Sequence, residues 1–225
     1  MLPILHVSDF HFHRPWFEWT KRVAKKFSAV AYTGDFLDSA YPSTPAVEQV
    51  AWVTKWCRDF PVPLWVVSGN HDHDRDDLPP HLQRWVSTSL AFDHVTTDGM
   101  RTALGPWTVE CAAWGEVPRA EIPQCLALVH CPPEGAETAM EETVGIDYGD
   151  FELANILRHG FRPPELVLSG HVHLRRRFYD STGFAMSLNP GRAEGGAHPN
   201  HIIINLTVRT AELISNTEDR KTISF

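Results

Sequence analysis

The sequence predicts an α/β fold in four layers, with two mixed β-sheets face to face and helices outside each (α/β/β/α). Three observations carry this. Over the first ninety residues, apolar runs of strand length alternate with helically spaced amphipathic runs. Such alternation gives parallel strands with helical crossovers. From about residue 90 the runs are shorter, rich in β-branched residues and separated by glycine turns, as in meandering strands. No repeat, low-complexity tract or linker interrupts the 225 residues, so residues 1–225 read as a single domain.

The elements follow in order. "PILHVSD" (3–9) is a buried strand, "FEWTKRVAKKF" (17–27) an amphipathic helix and "SAVAYTGD" (28–35) a second strand. Thr44 is a candidate helix cap with Pro45 at the first helical position, and Val47, Val50 and Ala51 continue the helical spacing. "VPLWVVSGN" (62–70) is a third strand. "HVTTDGMRTALGPWTVECAAWG" (94–115) supplies meandering strands, and "QCLALVHC" (124–131) is buried again. "GDFELANILRHG" (149–160) is a helix stopped by Gly160, followed by the strand "PELVLSGHVH" (164–173). "RRRFYDSTGFAMSLN" (175–189) reads as a hairpin turning at Ser181 to Gly183, with Arg175, Arg176 and Arg177 on a solvated strand face. "HIIINLTVRTAELISN" (201–216) adds further strand. The acidic stretch from Pro132 to Asp147 reads as a long loop, and loops of that length in compact domains often carry function.

Composition narrows the function classes. With 43% hydrophobic residues the chain can bury a sizeable core. A net charge of -8 argues against a general nucleic-acid binder, which needs a basic face. No run is long enough to span a bilayer, and no secretory signal is visible, so the expectation is a cytoplasmic protein with no membrane partner. Cys57, Cys111, Cys125 and Cys131 lack C-x-x-C spacing and read as reduced, buried thiols. Thirteen histidines are many for this length, and their placement decides what they mean.

Five predicted strands end alike. "ILHVSDFH" runs into Asp9 and His11, "AVAYTGDFLD" into Asp35 and Asp38, and "LWVVSGNHD" into Asn70, His71 and Asp72. "LALVH" runs into His130, and "LVLSGHVH" into His171 and His173. Any one of these has an ordinary reading, such as a turn residue or a helix cap. Open α/β sheets bind ligands beyond the carboxyl ends of their strands, so five such endings point to one shared site. Imidazole and carboxylate together suit manganese, iron, zinc and similar ions. A carboxylate that bridges two ions holds them ~3.5–4 Å apart, the spacing of two-metal hydrolases. Such a site would carry about +1 in a protein of net charge -8, and so admit an anionic substrate.

The ordered set Asp-x-His (Asp9, His11), Gly-Asp-x-x-Asp (Gly34, Asp35, Asp38), Gly-Asn-His-Asp (Gly69 to Asp72), a lone His130 and Gly-His-x-His (Gly170, His171, His173) resembles the calcineurin-like metallophosphoesterases. The resemblance implies two divalent, or di- and trivalent, metal ions of manganese, iron or zinc. Asp9, His11, Asp35 and His173 would hold one ion. Asp35, Asn70, His130 and His171 would hold the other, with Asp35 shared. His71 would contact the scissile phosphate and protonate the leaving oxygen, with Asp72 orienting it. Asp38 would sit one shell further out. The fold implied is again two mixed sheets between helices.

The function implied is hydrolysis of a small phosphoester by a hydroxide held between the ions. Gly-Asn-His-Asp is similar to the phosphodiesterase branches, including those acting on cyclic nucleotides. "HCPPEG" followed by "GDFELANILRHGFRPPELVLSGHVH" resembles their small members, and "SLNPG" (187–191) is similar to an Asn-Pro-Gly turn found after the last ligand strand. A phosphomonoesterase is the nearest alternative. Ser39 and His73 stand where the protein-phosphatase branch carries arginines, which disfavours that branch. A non-catalytic scaffold on the same fold is the alternative from another class. His13, His73, Asp74, Arg75, Tyr148 and Asp150 flank the motifs as candidate pocket residues. His6 and Trp16, Trp19, Trp52, Trp56 and Trp65 read as core. The sequence assigns no oligomeric state.

Overall fold

The computed structural model describes residues 2–39, 42–73, 75–119, 122–183, 185–193, 195–216 and 219–225. Asp74 lies outside the described residues. The first sheet contains β1 (Ile4–Val7), β2 (Ala29–Thr33), β3 (Leu64–Val67) and β4 (Val95–Thr96), all parallel, extended by the antiparallel β11 (His201–Asn205), β12 (Thr210–Ile214) and β13 (Arg220–Ser224) in the order β13-β12-β11-β1-β2-β3-β4. The second sheet runs β5 (Arg101–Leu104), β6 (Trp107–Cys111), β7 (Cys125–Leu128), β8 (Leu166–Leu168), β10 (Ala185–Leu188) and β9 (Tyr179–Thr182). Its inner four strands are parallel, and β5 and β9 pair antiparallel at the edges.

Side-chain alternation explains the layers. In β1 to β3, Ile4, Ala29, Ala31, Trp65 and Val67 face the second sheet and pack on Val109, Leu126, Leu128, Leu166, Leu168 and Leu188. Their neighbours Leu5, Val7, Val30, Tyr32, Leu64 and Val66 face outward and pack under helices α1 (Arg14–Val23), α2 (Ala46–Arg58) and the short α3 (Trp85–Ser89) through Phe17, Val50, Val53, Trp56 and Trp85. On the far side, Val129 and Val167 meet Leu153 and Leu157 of α4 (Phe151–His159). Strands buried on both faces read as unbroken apolar runs, which is why the central strands were visible in the sequence.

Several details differ from the sequence reading. α1 begins at Arg14, ahead of residue 17, because Pro15 fits the first turn of a helix. Thr44 does not cap α2. Pro45 occupies the cap position, and the Thr44 carbonyl accepts from Gln49 Nε2 at 2.8 Å. Arg175, Arg176 and Arg177 precede the hairpin and are not on a strand. Arg175 donates to the Asn189 carbonyl at 2.9 Å, while Arg176 pairs with Glu137 at 3.5 Å. The acidic loop is tied down by bridges Met140 to Asp147 and Glu141 to Arg175. The hairpin of β9 and β10 is the one the sequence indicated, but Ser181 and Thr182 still pair within β9, so the chain turns later, from Gly183. Trp65 is buried between the sheets, Trp16 and Trp56 are buried under the helices, and Trp19 and Trp52 pack partly buried against that helix-side core.

Candidate metal centre

The carboxyl ends of β1, β2, β3, β7 and β8 meet at one edge of the two sheets. The chain turns sharply there. Asp9, His11, Asp35 and His171 all have left-handed backbones, with φ of 58°, 43°, 59° and 66°. For residues with a Cβ this costs about 1–2 kcal/mol each, and surrounding structure must hold it. Backbone bonds across the loops do so: Asp9 N–H donates to the Gly34 carbonyl at 3.1 Å and His11 N–H to the Asp35 carbonyl at 3.0 Å. Two glycines permit the close approach. A Cβ on Gly69 would overlap the Asp35 carboxylate, and one on Gly170 would overlap Ser8 Oγ and stand 2.6 Å from Asp9 Oδ2.

Two groups of donor atoms result. In the first, the ligand atoms of Asp9, His11, Asp35 and His173 all lie within 4.8 Å of one another. His11 Nε2 is 3.0 Å from His173 Nε2 and 3.6 Å from Asp35 Oδ2, and His173 Nε2 is 3.6 Å from Asp9 Oδ1. In the second, Asn70 Oδ1 faces His130 Nε2 at 3.1 Å and His171 Nδ1 at 3.0 Å, and His130 Nε2 is 3.4 Å from Asp35 Oδ2. Asp35 Oδ2 therefore belongs to both groups.

The donor set fits cations. Asp9 and Asp35 are buried, and their ion-pair partners among the described residues are all histidines. Buried carboxylates without Lys or Arg partners call for another positive charge. Asp9 Oδ2 is buried and accepts no hydrogen bond. The other carboxylate oxygens are fixed, since His171 N–H donates to Asp9 Oδ1 at 3.0 Å and His71 N–H to Asp35 Oδ1 at 2.9 Å.

Protonation follows from the same contacts. Burial alone would raise the Asp9 and Asp35 carboxyls. The imidazoles of His173, His130 and His11 outweigh it for Asp9, which falls well below the usual range. For Asp35, His130 leads the opposing effect and the pKa falls to about 2. Burial holds His11 and His171 down to about 4, so both are neutral near pH 7 with a lone pair to give. His130 Nδ1 is 2.7 Å from the Thr33 carbonyl, so it carries hydrogen and Nε2 faces the site. Burial lowers the pKa of His130, but the Asp35 charge outweighs it and raises it to about 9.

A prediction arises here. Below about pH 9 metal-free His130 is protonated, and its nitrogen would have to lose that proton to take a metal. Metal uptake at pH 7.5 is expected to release about one proton from this site, with affinity rising about tenfold per pH unit toward pH 9. Calorimetry in buffers of different ionisation enthalpy measures the release. Heats that do not depend on the buffer would contradict it.

His71 lies beside these groups. Its ring centroid is 4.6 Å from that of His11, and its Nε2 is 3.9 Å from Asp35 Oδ2. Its Nδ1 pairs closely with Ser39 Oγ. Asp72, expected to orient His71, meets backbone groups through its carboxylate. Its carboxylate accepts from the backbone N–H groups of Phe36, Leu37 and Gly69, each at 3.0 Å. It therefore joins the loops after β2 and β3, and Ser39 is the side chain at the His71 ring. Burial, then the Asp35 charge, push Asp72 up to about 7 against the pull of those donors. Asp72→Ala leaves three buried N–H groups unpaired at about 1–3 kcal/mol each, so a loss of about 3 kcal/mol or more in urea unfolding is expected. A loss below about 1 kcal/mol would contradict it.

Other residues sort plainly. Asp38 is held through its backbone by Gln49 and Arg75. Arg75 is spent on Asp77 and the Asp38 and His71 carbonyls. His6 is a core histidine paired with Thr33 Oγ1 at 2.9 Å. Cys131 donates to the Tyr148 carbonyl at 3.0 Å, and burial raises its thiol to about 12. Asp150 caps α4 by accepting from Leu153 N–H at 2.7 Å.

Sequence reasoning missed Trp114, whose ring lies 5.5 Å from those of both His130 and His171. It also missed the role of Asn189. That amide donates to the carbonyls of Gly170 and Val172 at 2.8 and 3.2 Å, and so holds the loop bearing His171 and His173. The Asn-Pro-Gly turn at 189–191 was its visible signal.

Residues 2–175 match the model of the calcineurin-like phosphoesterase family. This is most of the chain, and the protein belongs to that family of metal-dependent hydrolases acting on phosphoester bonds. No curated protein matches it by sequence. Among solved structures, the protein TT1561 of Thermus thermophilus is similar, with a TM-score of 0.58 and 16% identity over 99% of this chain and 98% of that one. YfcE, a phosphoesterase from E. coli, gives 0.53 and 13% over 99% and 98%. The purple acid phosphatase PPD1 from yellow lupin (Lupinus luteus) gives 0.56 and 12%, covering 99% of this chain and 53% of its own. At these identities the structures share the fold. Among the described residues, no helix is long and apolar enough to cross a membrane.

Proposed function

We propose that the protein is a dinuclear-metal phosphodiesterase acting on a small phosphodiester, a class that includes cyclic nucleotides. The observation that carries this is Asp35 Oδ2, which stands 3.6 Å from His11 Nε2 in one donor group and 3.4 Å from His130 Nε2 in the other. One ion would be held by Asp9, His11, Asp35 and His173, and the second by Asp35, Asn70, His130 and His171. Manganese, iron and zinc all suit these nitrogen and oxygen donors. When bound, such a pair supplies charge neutralisation at the phosphoryl oxygens and a nucleophile at neutral pH.

The chain's own residues do the rest. Ser39 holds the Nδ1 side of His71, which leaves Nε2 facing the donor groups. From there His71 gives a proton to the departing oxygen. Asn70 is a neutral ligand, so it adds no negative charge against the substrate. The cavity beside His171 and His173 is lined otherwise by Glu141, Tyr148, Val172 and Leu174, without a cation. That favours a diester, with one negative charge, over a monoester dianion. Donors come from both sheets, which supports one domain over residues 1–225. Cys57, Cys111, Cys125 and Cys131 are free thiols, which supports a reducing compartment such as the cytoplasm.

The test is turnover of bis(p-nitrophenyl) phosphate and p-nitrophenyl phosphate by metal-stripped protein with Mn²⁺ restored. The diester is expected to be hydrolysed only with metal, and with the higher kcat/KM. Preference for the monoester would make the protein a phosphomonoesterase. Two bound metals with neither ester hydrolysed would favour the scaffold alternative.

A further inference from the structure

A cavity opens directly onto His171 and His173. It has a volume of about 250 Å³ and is lined by Glu141, Tyr148, His171, Val172, His173 and Leu174. Two of these are candidate ligands. The others are a phenol ring, two aliphatic side chains and one carboxylate. Tyr148 is 46% exposed and Leu174 44%. Scattered exposed apolar residues are ordinary. Here they gather. Of the ten large apolar side chains exposed among the described residues, Val144 and Ile146 lie on the acidic loop, Tyr148 directly follows it, and Leu174 is bonded to it.

The platform is fixed by backbone bonds. Tyr148 N–H donates to the Ala139 carbonyl at 3.0 Å, and its own carbonyl accepts from Cys131 Sγ. The Leu174 carbonyl accepts from Glu142 N–H at 2.7 Å, and Arg176 N–H donates to the Met140 carbonyl at 2.9 Å. Two exposed apolar side chains held rigidly beside a reaction centre are prepared to meet a ligand. The Tyr148 ring stands 6.3 Å from that of His171, whereas His71 stands beside His11. A phosphoester over the donor groups thus has the proton donor at one arm and this cavity at the other.

We infer that the cavity binds the ester arm that stays on phosphorus, and that this arm is uncharged and apolar, with an aromatic ring as the best fit. This rests on the phosphodiesterase reading above and narrows it to acyclic diesters, since in a cyclic one both ester oxygens belong to the same sugar. Water adds its oxygen to phosphorus, and the P–O bond to the arm beside His71 breaks. That arm's oxygen leaves as an alcohol with one proton, and the second proton of water passes to solvent. The product is the phosphomonoester of the apolar arm. Glu141 at the cavity wall repels a second phosphate or a carboxylate on that arm.

The test varies the retained arm while the leaving group stays the same. Phenyl p-nitrophenyl phosphate is compared with methyl p-nitrophenyl phosphate on the Mn²⁺-loaded protein. The phenyl arm is expected to raise kcat/KM about tenfold, the effect of taking much of a ring out of water. Calorimetry with phenylphosphonate and methylphosphonate, which cannot be hydrolysed, reads the same preference without turnover, again about tenfold. Leu174→Asp and Tyr148→Ser should bring both ratios toward one, and Val144→Ser at the loop tip should preserve them. Equal binding of the two phosphonates, or a phenyl preference that survives in folded Leu174→Asp and Tyr148→Ser, would overturn the inference. A phenylphosphonate preference without hydrolysis of either diester would support the apolar cavity while the phosphodiesterase reading failed.

Discussion

Asp35→Asn is expected to lower metal-dependent kcat/KM by at least about 10³-fold, beyond the ~10–100-fold that follows loss of a ligand's outer partner. The physical reason is the position of one atom. Asp35 Oδ2 faces His11 Nε2 at 3.6 Å and His130 Nε2 at 3.4 Å, so one oxygen serves both donor groups. Asn keeps the volume and the Oδ1 acceptor that His71 N–H uses at 2.9 Å, so the loops stay in place. What is lost is the charge. Two cations held there would then share no anionic ligand, and His130 loses the partner that stabilises its proton. Kinetics at saturating Mn²⁺, with the metal content of the same samples, measure this. A variant that holds two metals and keeps wild-type turnover would remove Asp35 from the centre of the chemistry.

His71→Gln is expected to keep both metals and to lower kcat by about 10²–10⁴-fold for diesters with alkyl leaving groups. For p-nitrophenolate, which departs without a proton, the loss should be far smaller. The difference isolates proton donation from phosphate contact. It follows from where the ring sits: Nε2 is 3.9 Å from Asp35 Oδ2, while Nδ1 is engaged by Ser39. An equal loss for both leaving groups would leave His71 a phosphate-binding role only.

The layers and the site were readable in the sequence for one reason. Central parallel strands are apolar on both faces, and the chain becomes polar where they end. Asp9, Asp35, Asn70, His130 and His171 therefore stand out against Val7, Thr33, Val67, Leu128 and Leu168. Contacts between distant segments were not readable. Asp72 follows His71 directly, which suggests a pair, but three backbone N–H groups take its carboxylate instead, two of them from the loop after β2. Trp114 meets His130 and His171, which are distant from it in sequence, and nothing local marks it for that. Asn189 stood in a visible Asn-Pro-Gly turn, whereas its bonds to the Gly170 and Val172 carbonyls were not readable. The left-handed turns at Asp9 and His171 were equally hidden, since glycine is the usual sign of such a backbone. The acidic loop read only as a long loop, because its order comes from bonds within it, such as Glu141 N–H to the Ile146 carbonyl, and from bonds to Leu174 and Arg175, none of which its residue pattern announces.

The most direct measurement is the metal content of the protein after stripping, saturation with Mn²⁺ and removal of free ion, joined to electron paramagnetic resonance of the same sample. Two ions sharing Asp35 should give about two manganese per chain and a spin-coupled signal, both lost in Asp35→Asn. One manganese per chain, or two that are magnetically independent, would contradict a shared carboxylate and the chemistry built on it.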